Sequence, residues 1–147
     1  MFAQVVLKLT GPMDHLRLVW QTGETLLESV NFGEDPEGNR YNVLLALQEV
    51  VTNTLRHAYK LDHDKPIEVR FEITDERFLM ELRDQGPAFD PITHETEGSV
   101  LAVDMPTKCG GFGIHIVRLV MDHIEYVREG GWNVLRLAKD VHVIANT

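Results

Sequence analysis

The chain has 147 residues, of which 44% are hydrophobic and 25% charged, and these values predict one soluble globular domain over residues 1–147. Its formal net charge of −9 argues against a broad electrostatic surface for nucleic acid or for an anionic membrane. No apolar run approaches the roughly 20 residues of a membrane span, and the single cysteine, Cys109, cannot form an internal disulfide, so we expect a protein of the reducing cytoplasm.

The first 40 residues predict a strand, a helix and a loop. Residues 3–10 favour a strand that Gly11-Pro12 ends, and apolar residues then recur at helical spacing over 13–30. Gly23 weakens the middle of this predicted helix, because glycine is a poor helix former. Residues 31–40 are rich in turn-forming residues and predict a loop.

The centre of the chain predicts a long helix followed by paired strands. Residues 41–60 show the strongest helical pattern. Residues 67–74 and 77–85 alternate between apolar and polar side chains, as antiparallel strands joined by a tight turn at Asp75-Glu76 would do.

The last third begins with a stretch of little regular pattern, residues 86–113. A loop of this length in a small domain is usually functional or disordered. Residues 112–124 then predict a helix, and residues 125–139 predict a hairpin closed by Gly130-Gly131. Strands of this kind, with helices over one face, predict an α+β sandwich.

The predicted helix over 41–60 carries a polar stripe, since Glu49, Asn53 and His57 recur at intervals of four. Apolar residues lie nearly opposite this stripe: Leu44, Leu47, Val51, Leu55 and Ala58. The stripe is either a solvated side of a surface helix or a wall of ligands that faces a cavity. A buried stripe would have to meet water, another side chain, or a ligand with a metal, because unpaired buried polar groups are costly.

The three members of the stripe suit different tasks. The neutral amide oxygen of Asn53 suits a hard cation such as Mg²⁺ that is already bound to phosphates. Glu49, one turn away, could act as a general base or hold a metal-bound water. A histidine in a helix is more often structural than catalytic. Of the three residues, His57 is therefore the one with the least support for a direct functional role.

Asp84 and Gly86 form a second candidate unit at the end of a predicted strand. The carboxylate of Asp84 could simply bond to its own backbone in an ordinary turn. It could also lie at the floor of a pocket and accept a hydrogen bond from an amino group, with Gly86 allowing a flat ring to approach the backbone.

A glycine-rich stretch before the predicted helix over 112–124 forms the third candidate unit. Gly110, Gly111 and Gly113 would leave N–H groups free at a helix start, where an anion is favoured, although a flexible turn explains them equally well. No Gly-Lys-Ser/Thr follows, so the stretch is not a P-loop. Backbone amides alone bind an anion only weakly. We therefore expect a metal and a cationic side chain, Lys108 or Arg56, to assist in binding phosphates.

Together, and in this order, the three units resemble the boxes of the GHKL ATP-binding fold of gyrase, Hsp90, histidine kinases and MutL. Glu49-x-x-x-Asn53 matches the N box, and Asp84-x-Gly86, continuing to Phe89-Asp90, matches the adenine-binding G1 box. Gly111-x-Gly113 matches the phosphate-binding G2 box, and residues 90–110 correspond to the ATP lid. The resemblance implies a two-layer sandwich of the Bergerat type, with a mixed, mainly antiparallel sheet and helices on one face.

Within that superfamily the chain is most similar to the short anti-sigma-factor serine kinases of the RsbW and SpoIIAB type, over residues 3–139. The resemblance implies that Asn53 binds Mg²⁺, that Glu49 takes a proton from a serine or threonine hydroxyl, and that Asp84 bonds the adenine amino group. It implies this ATP-contacting set: Asn53, His57, Asp84, Gly86, Phe89, Lys108, Gly110, Gly111, Phe112, Gly113 and Ile114.

The implied partner is a STAS-domain anti-anti-sigma protein, which the kinase inactivates by phosphorylation; a sigma factor is a further partner, and a homodimer is expected from the family. The alternative function is a nucleotide-gated module that binds and sequesters a regulator with little kinase activity. Glu49 favours the kinase, whereas an acidic lid with Lys108 as its one cation favours the binding module. The lone helix before the N box argues against a histidine kinase catalytic domain.

Overall fold

A five-stranded antiparallel sheet with helices on one face forms the part of the chain that the computed structural model describes, residues 2–11, 14–58, 65–88 and 111–141. For residues 57, 58 and 111–114 the description covers the backbone only. The elements are β1 Phe2–Leu9, α1 His15–Leu27, α2 Pro36–Asn53, β2 Ile67–Thr74, β3 Arg77–Asp84, α3 Gly111–Val120, β4 His123–Glu129 and β5 Trp132–Asp140. The predicted α+β class with helices over one sheet face is confirmed.

The strands lie in the order β1-β2-β3-β5-β4, and every neighbouring pair is antiparallel. The predicted turn at Asp75-Glu76 joins β2 to β3. Gly130 and Gly131 join β4 to β5 with positive φ angles of 55° and 84°, so that Glu129 pairs with Trp132 across a two-residue turn. The predicted hairpin is therefore confirmed, and its strands extend to residues 123 and 140.

The core lies between the helices and one face of the sheet. Alternate residues of the neighbouring inner strands β2 and β3 are almost completely buried on this face: Ile67, Val69, Phe71, Ile73, Phe78, Met80 and Leu82. Apolar residues of α2 belong to the same cluster, and α2 packs against both α1 and α3. Residue alternation along β3 therefore decides which polar side chains face the helices.

Gly23 lies where α1 meets α2. A Cβ atom at this position would come within 2.8 Å of the Leu47 side chain and 3.8 Å of the Phe71 ring. The sequence pattern predicts that Gly23 weakens α1. The structure shows that the absence of a side chain there lets α1 pack closely against Leu47 and Phe71. Asp14 caps the start of α1 by accepting a hydrogen bond from the N–H of Arg17 at 3.0 Å.

The predicted boundaries that are wrong include the start of α2 and the end of α3. Helix α2 begins at Pro36, inside the predicted loop over 31–40, because Asp35 caps it through the N–H of Gly38 at 3.2 Å and proline suits the first helical position. Helix α3 ends at Val120, whereas the prediction continued it to residue 124, and β4 begins at His123. The cap at Asp35 sets the first boundary against the turn-rich composition, and the pairing of β4 with β5 sets the second against the apolar pattern.

The other face of the sheet carries a row of alternating charges across four strands. Arg70 lies opposite Glu81, Glu81 opposite Arg136, and Arg136 opposite Glu125. Glu81 is 5% exposed and accepts hydrogen bonds from Arg136 Nε at 2.8 Å and from Arg70 Nη2 at 3.1 Å. Burial alone would raise the pKa of Glu81, but these hydrogen bonds and the charges of both arginines outweigh it and hold that pKa below its ordinary value. In the described ranges, no helix is both long and apolar enough to cross a membrane.

Candidate functional site

Helix α2 presents the predicted polar stripe along one flank. Glu49 and Asn53 are half-buried and one turn apart, so their side chains are neighbours on the helix surface. The predicted apolar back is confirmed for four residues, all of them buried: Leu44, Leu47, Val51 and Leu55. The side chains of the remaining members, His57 and Ala58, lie outside the described residues. The flank is therefore neither fully solvated nor sealed in the core.

A π-helical turn, Thr54–Ala58, follows α2 directly after Asn53. Thr54 stabilises the junction by donating its hydroxyl to the carbonyl of Val50 at 3.0 Å. Such wide turns occur mainly as single turns and frequently at functional sites. The stripe was predicted on a regular α-helix, and that prediction holds for Glu49 and Asn53 but is wrong for the backbone at His57.

Asp84 is the last residue of β3, and its side chain points to the same side of the sheet as Leu82 and Met80, toward the helices. The residue is only 7% exposed. Its Oδ1 atom accepts hydrogen bonds from the N–H of Gly86 and from Nδ2 of Asn133, each at 2.9 Å. Within the described part of the chain, hydrogen bonds to this carboxylate reach Oδ1 only. The turn bond expected of an ordinary acidic turn is present, and among the described residues no donor is bonded to Oδ2.

Asn133 completes the surroundings of Asp84, and sequence reasoning missed it. It is 5% exposed and lies directly opposite Asp84 on β5. The sequence contains a signal for Asn133. It and the apolar Leu135 and Leu137 are alternate residues along the strand and so lie on the same buried face, where a polar side chain needs hydrogen-bond partners. The apolar alternation around Asn133 predicts only a hairpin strand.

Two residues of β4 hold Asn133 in place. Tyr126 donates its hydroxyl to Oδ1 of Asn133 at 2.5 Å, and Arg128 donates Nη1 to the same oxygen at 3.0 Å. Arg128 also donates to the carbonyl of Gly86 at 2.8 Å. The hairpin of β4 and β5 thus fixes both the side chain of Asp84 and the backbone turn that follows it.

The glycines predicted to precede a helix lie partly within it. Helix α3 begins at Gly111, so Gly111 and Gly113 belong to its first turn, where N–H groups lack helical partners and favour an anion. Because α3 packs against α2, this turn belongs to a helix that contacts the helix carrying Glu49 and Asn53.

Several predicted contacts fall outside the description. Phe89, Lys108, Gly110 and the lid over 90–110 lie outside the described residues, as do the side chains of Phe112 and Ile114. The alternative cation, Arg56, is exposed on the π-helical turn. The structure therefore describes Glu49 with Asn53, and Asp84 with Gly86, while the assignment of ligand contacts to these residues stays a prediction.

A known protein family matches most of this chain. Residues 13–139 match the family described as "Histidine kinase-like ATPase domain". The chain is similar to the serine-protein kinase RsbW of Listeria innocua, at 27% identity over 62% of this chain and 60% of the relative. It is also similar to the serine/threonine-protein kinase BtrW of Bordetella bronchiseptica, at 28% identity over 67% of this chain and 68% of the relative, and to RsbW of Staphylococcus epidermidis, at 33% identity over 59% and 57%. The match spans about three fifths of the length of these RsbW relatives.

Proposed function

Since the chain belongs to the histidine kinase-like ATPase domain family, we propose that it is an ATP-dependent serine/threonine protein kinase of the anti-sigma-factor type. Its proposed substrate is a STAS-domain anti-anti-sigma protein, whose phosphorylation controls the release of a sigma factor. The similarity to RsbW and BtrW, kinases by name, supports this assignment. The observation that carries it is the buried Asp84 carboxylate, which has one oxygen bound by protein donors and a second oxygen that no described residue bonds.

Adenine recognition is assigned to Asp84 and Gly86. A purine amino group needs an acceptor, and Oδ2 of Asp84 supplies one in a desolvated setting, where a lost hydrogen bond is expensive. Gly86 has no side chain to obstruct the approach of a flat ring to the turn. Arg128 holds the turn by donating a hydrogen bond to the carbonyl of Gly86. Oδ2 of Asp84 is therefore in position before adenine binds.

Phosphate and metal binding are assigned to helices α3 and α2. The first-turn N–H groups of Gly111 and Gly113 would donate to phosphate oxygens. The half-buried amide of Asn53, with the carboxylate of Glu49 one turn away, is an oxygen donor set that fits a hard cation retaining most of its waters. Bound Mg²⁺ would neutralise charge on the phosphates.

The proposed reaction forms a bond between the substrate hydroxyl oxygen and the γ-phosphorus, and breaks the bond from that phosphorus to the bridging oxygen of ADP. ADP leaves with the electron pair of the broken bond. Glu49 takes the hydroxyl proton as a general base, and its half-buried position leaves one side accessible to a protein substrate. Most of the remaining catalysis is positioning and charge stabilisation.

The alternative is a nucleotide-gated module that binds a regulator without efficient phosphorylation. The sequence observation that favours it is the acidic lid, which contains Glu95, Glu97 and Asp104 with Lys108 as its one cation. In this alternative ATP would still bind at Asp84 and Asn53, and the partner would be captured in the ATP-bound state. A homodimer is proposed in both cases.

The two functions are separated by incubating the protein with Mg-ATP and STAS proteins of the same genome, then measuring phosphoserine and phosphothreonine by mass spectrometry. Glu49→Gln should lower the transfer rate by about 10²- to 10⁴-fold, as loss of a general base does. Glu37→Gln, an exposed change in the first turn of the same helix, is the matched control and should leave the rate unchanged. ATP-dependent capture of a STAS protein without phosphorylation would support the alternative. A rate of phosphoryl transfer that Glu49→Gln leaves unchanged would refute the role of Glu49 as general base.

A further inference from the structure

The side chain of Asn133 connects the proposed adenine site at Asp84 and Gly86 to the hairpin of β4 and β5. Its amide can take only one orientation. Its Oδ1 atom faces the Tyr126 hydroxyl at 2.5 Å and the Arg128 guanidinium at 3.0 Å. A guanidinium has donors and no acceptor, so the atom beside it must be the amide oxygen. The amide nitrogen then points away from β4.

The opposite side of the amide meets only acceptors. Nδ2 of Asn133 donates to Oδ1 of Asp84 at 2.9 Å, to the carbonyl of Pro87 at 2.9 Å and, at a longer 3.3 Å, to the carbonyl of Gly86. An inverted amide would place oxygen against these oxygens. The orientation is thus determined from both sides, and Asn133 is buried, so water does not relax it.

This arrangement also determines which oxygen of Asp84 can meet a ligand. Oδ1 receives Nδ2 of Asn133 and the N–H of Gly86, and both of these groups only donate. We infer that Asn133, oriented by Arg128 and Tyr126, is a positioning residue that occupies Oδ1 of Asp84 and presents Oδ2 alone as the acceptor for a purine 6-amino group. The inference rests on the proposed function, and it makes the strength of the preference for 6-amino over 6-keto purines depend on side chains of β4 and β5 that hold Asp84 in position.

The chemistry of the choice is simple. ATP carries an amino group at position 6 and can donate to Oδ2, whereas inosine triphosphate (ITP) carries a keto oxygen there and meets an acceptor. Sites built around one buried hydrogen bond discriminate strongly against analogues that cannot form it. If Asn133 no longer held Oδ1, the carboxylate could turn away from the 6-amino group, and the hydrogen bond that favours ATP over ITP would weaken.

The experiment measures the affinities for ATP and ITP by calorimetry and follows their ratio. The two ligands share ribose and triphosphate, so a general loosening of the protein weakens both equally and leaves the ratio unchanged. We expect the natural protein to prefer ATP at least about tenfold, and Asn133→Leu, which keeps the side-chain size but removes the donor, to reduce this ratio about 3- to 10-fold.

A matched pair at Arg128 tests the orienting step without touching the amide. Arg128→Met removes the donor, and we expect the ATP to ITP ratio to fall about 2- to 5-fold. Arg128→Lys restores a group that only donates and should recover the ratio to within about twofold. Arg83→Met, one residue before Asp84 but on the opposite face of the sheet, is the control for loss of a nearby charge and should not change the ratio.

The outcomes separate the inference from the proposed function. A natural protein that binds neither nucleotide overturns both. A natural protein that prefers ATP, combined with an unchanged ratio in Asn133→Leu and Arg128→Met, overturns the inference alone. If Asn133→Leu does not fold, the Arg128 pair decides, because a ratio that falls in Arg128→Met and recovers in Arg128→Lys supports the positioning role.

Discussion

Replacing Glu81 by glutamine tests whether the charge row on the helix-free sheet face stabilises the fold. The Glu81 side chain is 6% exposed, whereas those of Arg70 and Arg136 are each 30% exposed. Its Oε2 atom accepts from both arginines, at 3.1 Å and 2.8 Å. Glutamine keeps the shape and one acceptor but removes the charge that both guanidinium groups face.

The expected loss follows from the difference between charged and neutral hydrogen bonds. A hydrogen bond to a charged group contributes about 1.5–3 kcal/mol and a neutral one about 0.5–1.5 kcal/mol. Two bonds are affected, but the arginines are partly solvated, and this reduces the difference. We therefore expect Glu81→Gln to lower the free energy of unfolding by about 1–2 kcal/mol at pH 7.

The pH dependence has a definite sign. The pKa of Glu81 is lower in the folded than in the unfolded chain, so its contribution is complete above the unfolded value and is lost as the pH falls through the folded value. The difference between the natural protein and Glu81→Gln should then stay constant from pH 7 down to the ordinary glutamate range and shrink below it.

Urea unfolding followed by far-ultraviolet circular dichroism, at several pH values, measures this difference. Glu125→Gln is the matched control, because the side chain of Glu125 is 61% exposed and its contact with Arg136 is 3.4 Å long; its effect should stay below about 0.5 kcal/mol. A loss at Glu81→Gln as small as the control, or one that persists unchanged at acid pH, would refute the reasoning.

Three further changes test the site and the turn. Asp84→Asn should keep its oxygen on the donors of Gly86 and Asn133 and turn its amide nitrogen toward the base, so ATP binding should weaken about 10- to 100-fold while ITP binding improves; calorimetry that shows equal losses for both nucleotides would contradict this. Asn53→Ala should weaken ATP binding about 10-fold in the presence of Mg²⁺ and little in EDTA, and an identical loss in both conditions would exclude a metal ligand. Gly131→Val should destabilise the fold by about 1–2 kcal/mol, because φ there is 84° and open space surrounds the position; Gly131→Asn should lose clearly less, and equal melting temperatures for the two variants would show that backbone strain is not the cause.

The sequence predicts the elements of this fold well where periodicity and turn chemistry agree. The alternation over 67–74 and 77–85 and the glycine pair at 130–131 give the strands and their turns. The start of α2 was missed because the loop-like composition before residue 41 outweighed the cap at Asp35. The π-helical turn after Asn53 has no periodic signature of its own, since its five residues, Thr54–Ala58, make only about one turn.

The site was predictable only where its residues lie close together in sequence. Glu49 with Asn53, and Asp84 with Gly86, are local motifs, and the structure describes each pair. Asn133 lies 49 residues after Asp84 in the chain, and only the pairing of β3 with β5 brings the two side chains together. Nothing in a single sequence gives that register, so the residues that orient Asp84 required the three-dimensional structure.

The two-residue turn at Gly130-Gly131 limits which insertions the hairpin of β4 and β5 can accept. Exposed loop tips are normally the places where inserted residues are tolerated. An added residue that is not absorbed by a longer loop would shift β4 against β5 by one position, and a shift of one moves every side chain to the other face. Tyr126 and Arg128 would then turn away from Asn133, so an insertion at this tip that shifts the register should damage adenine recognition even where the domain still folds.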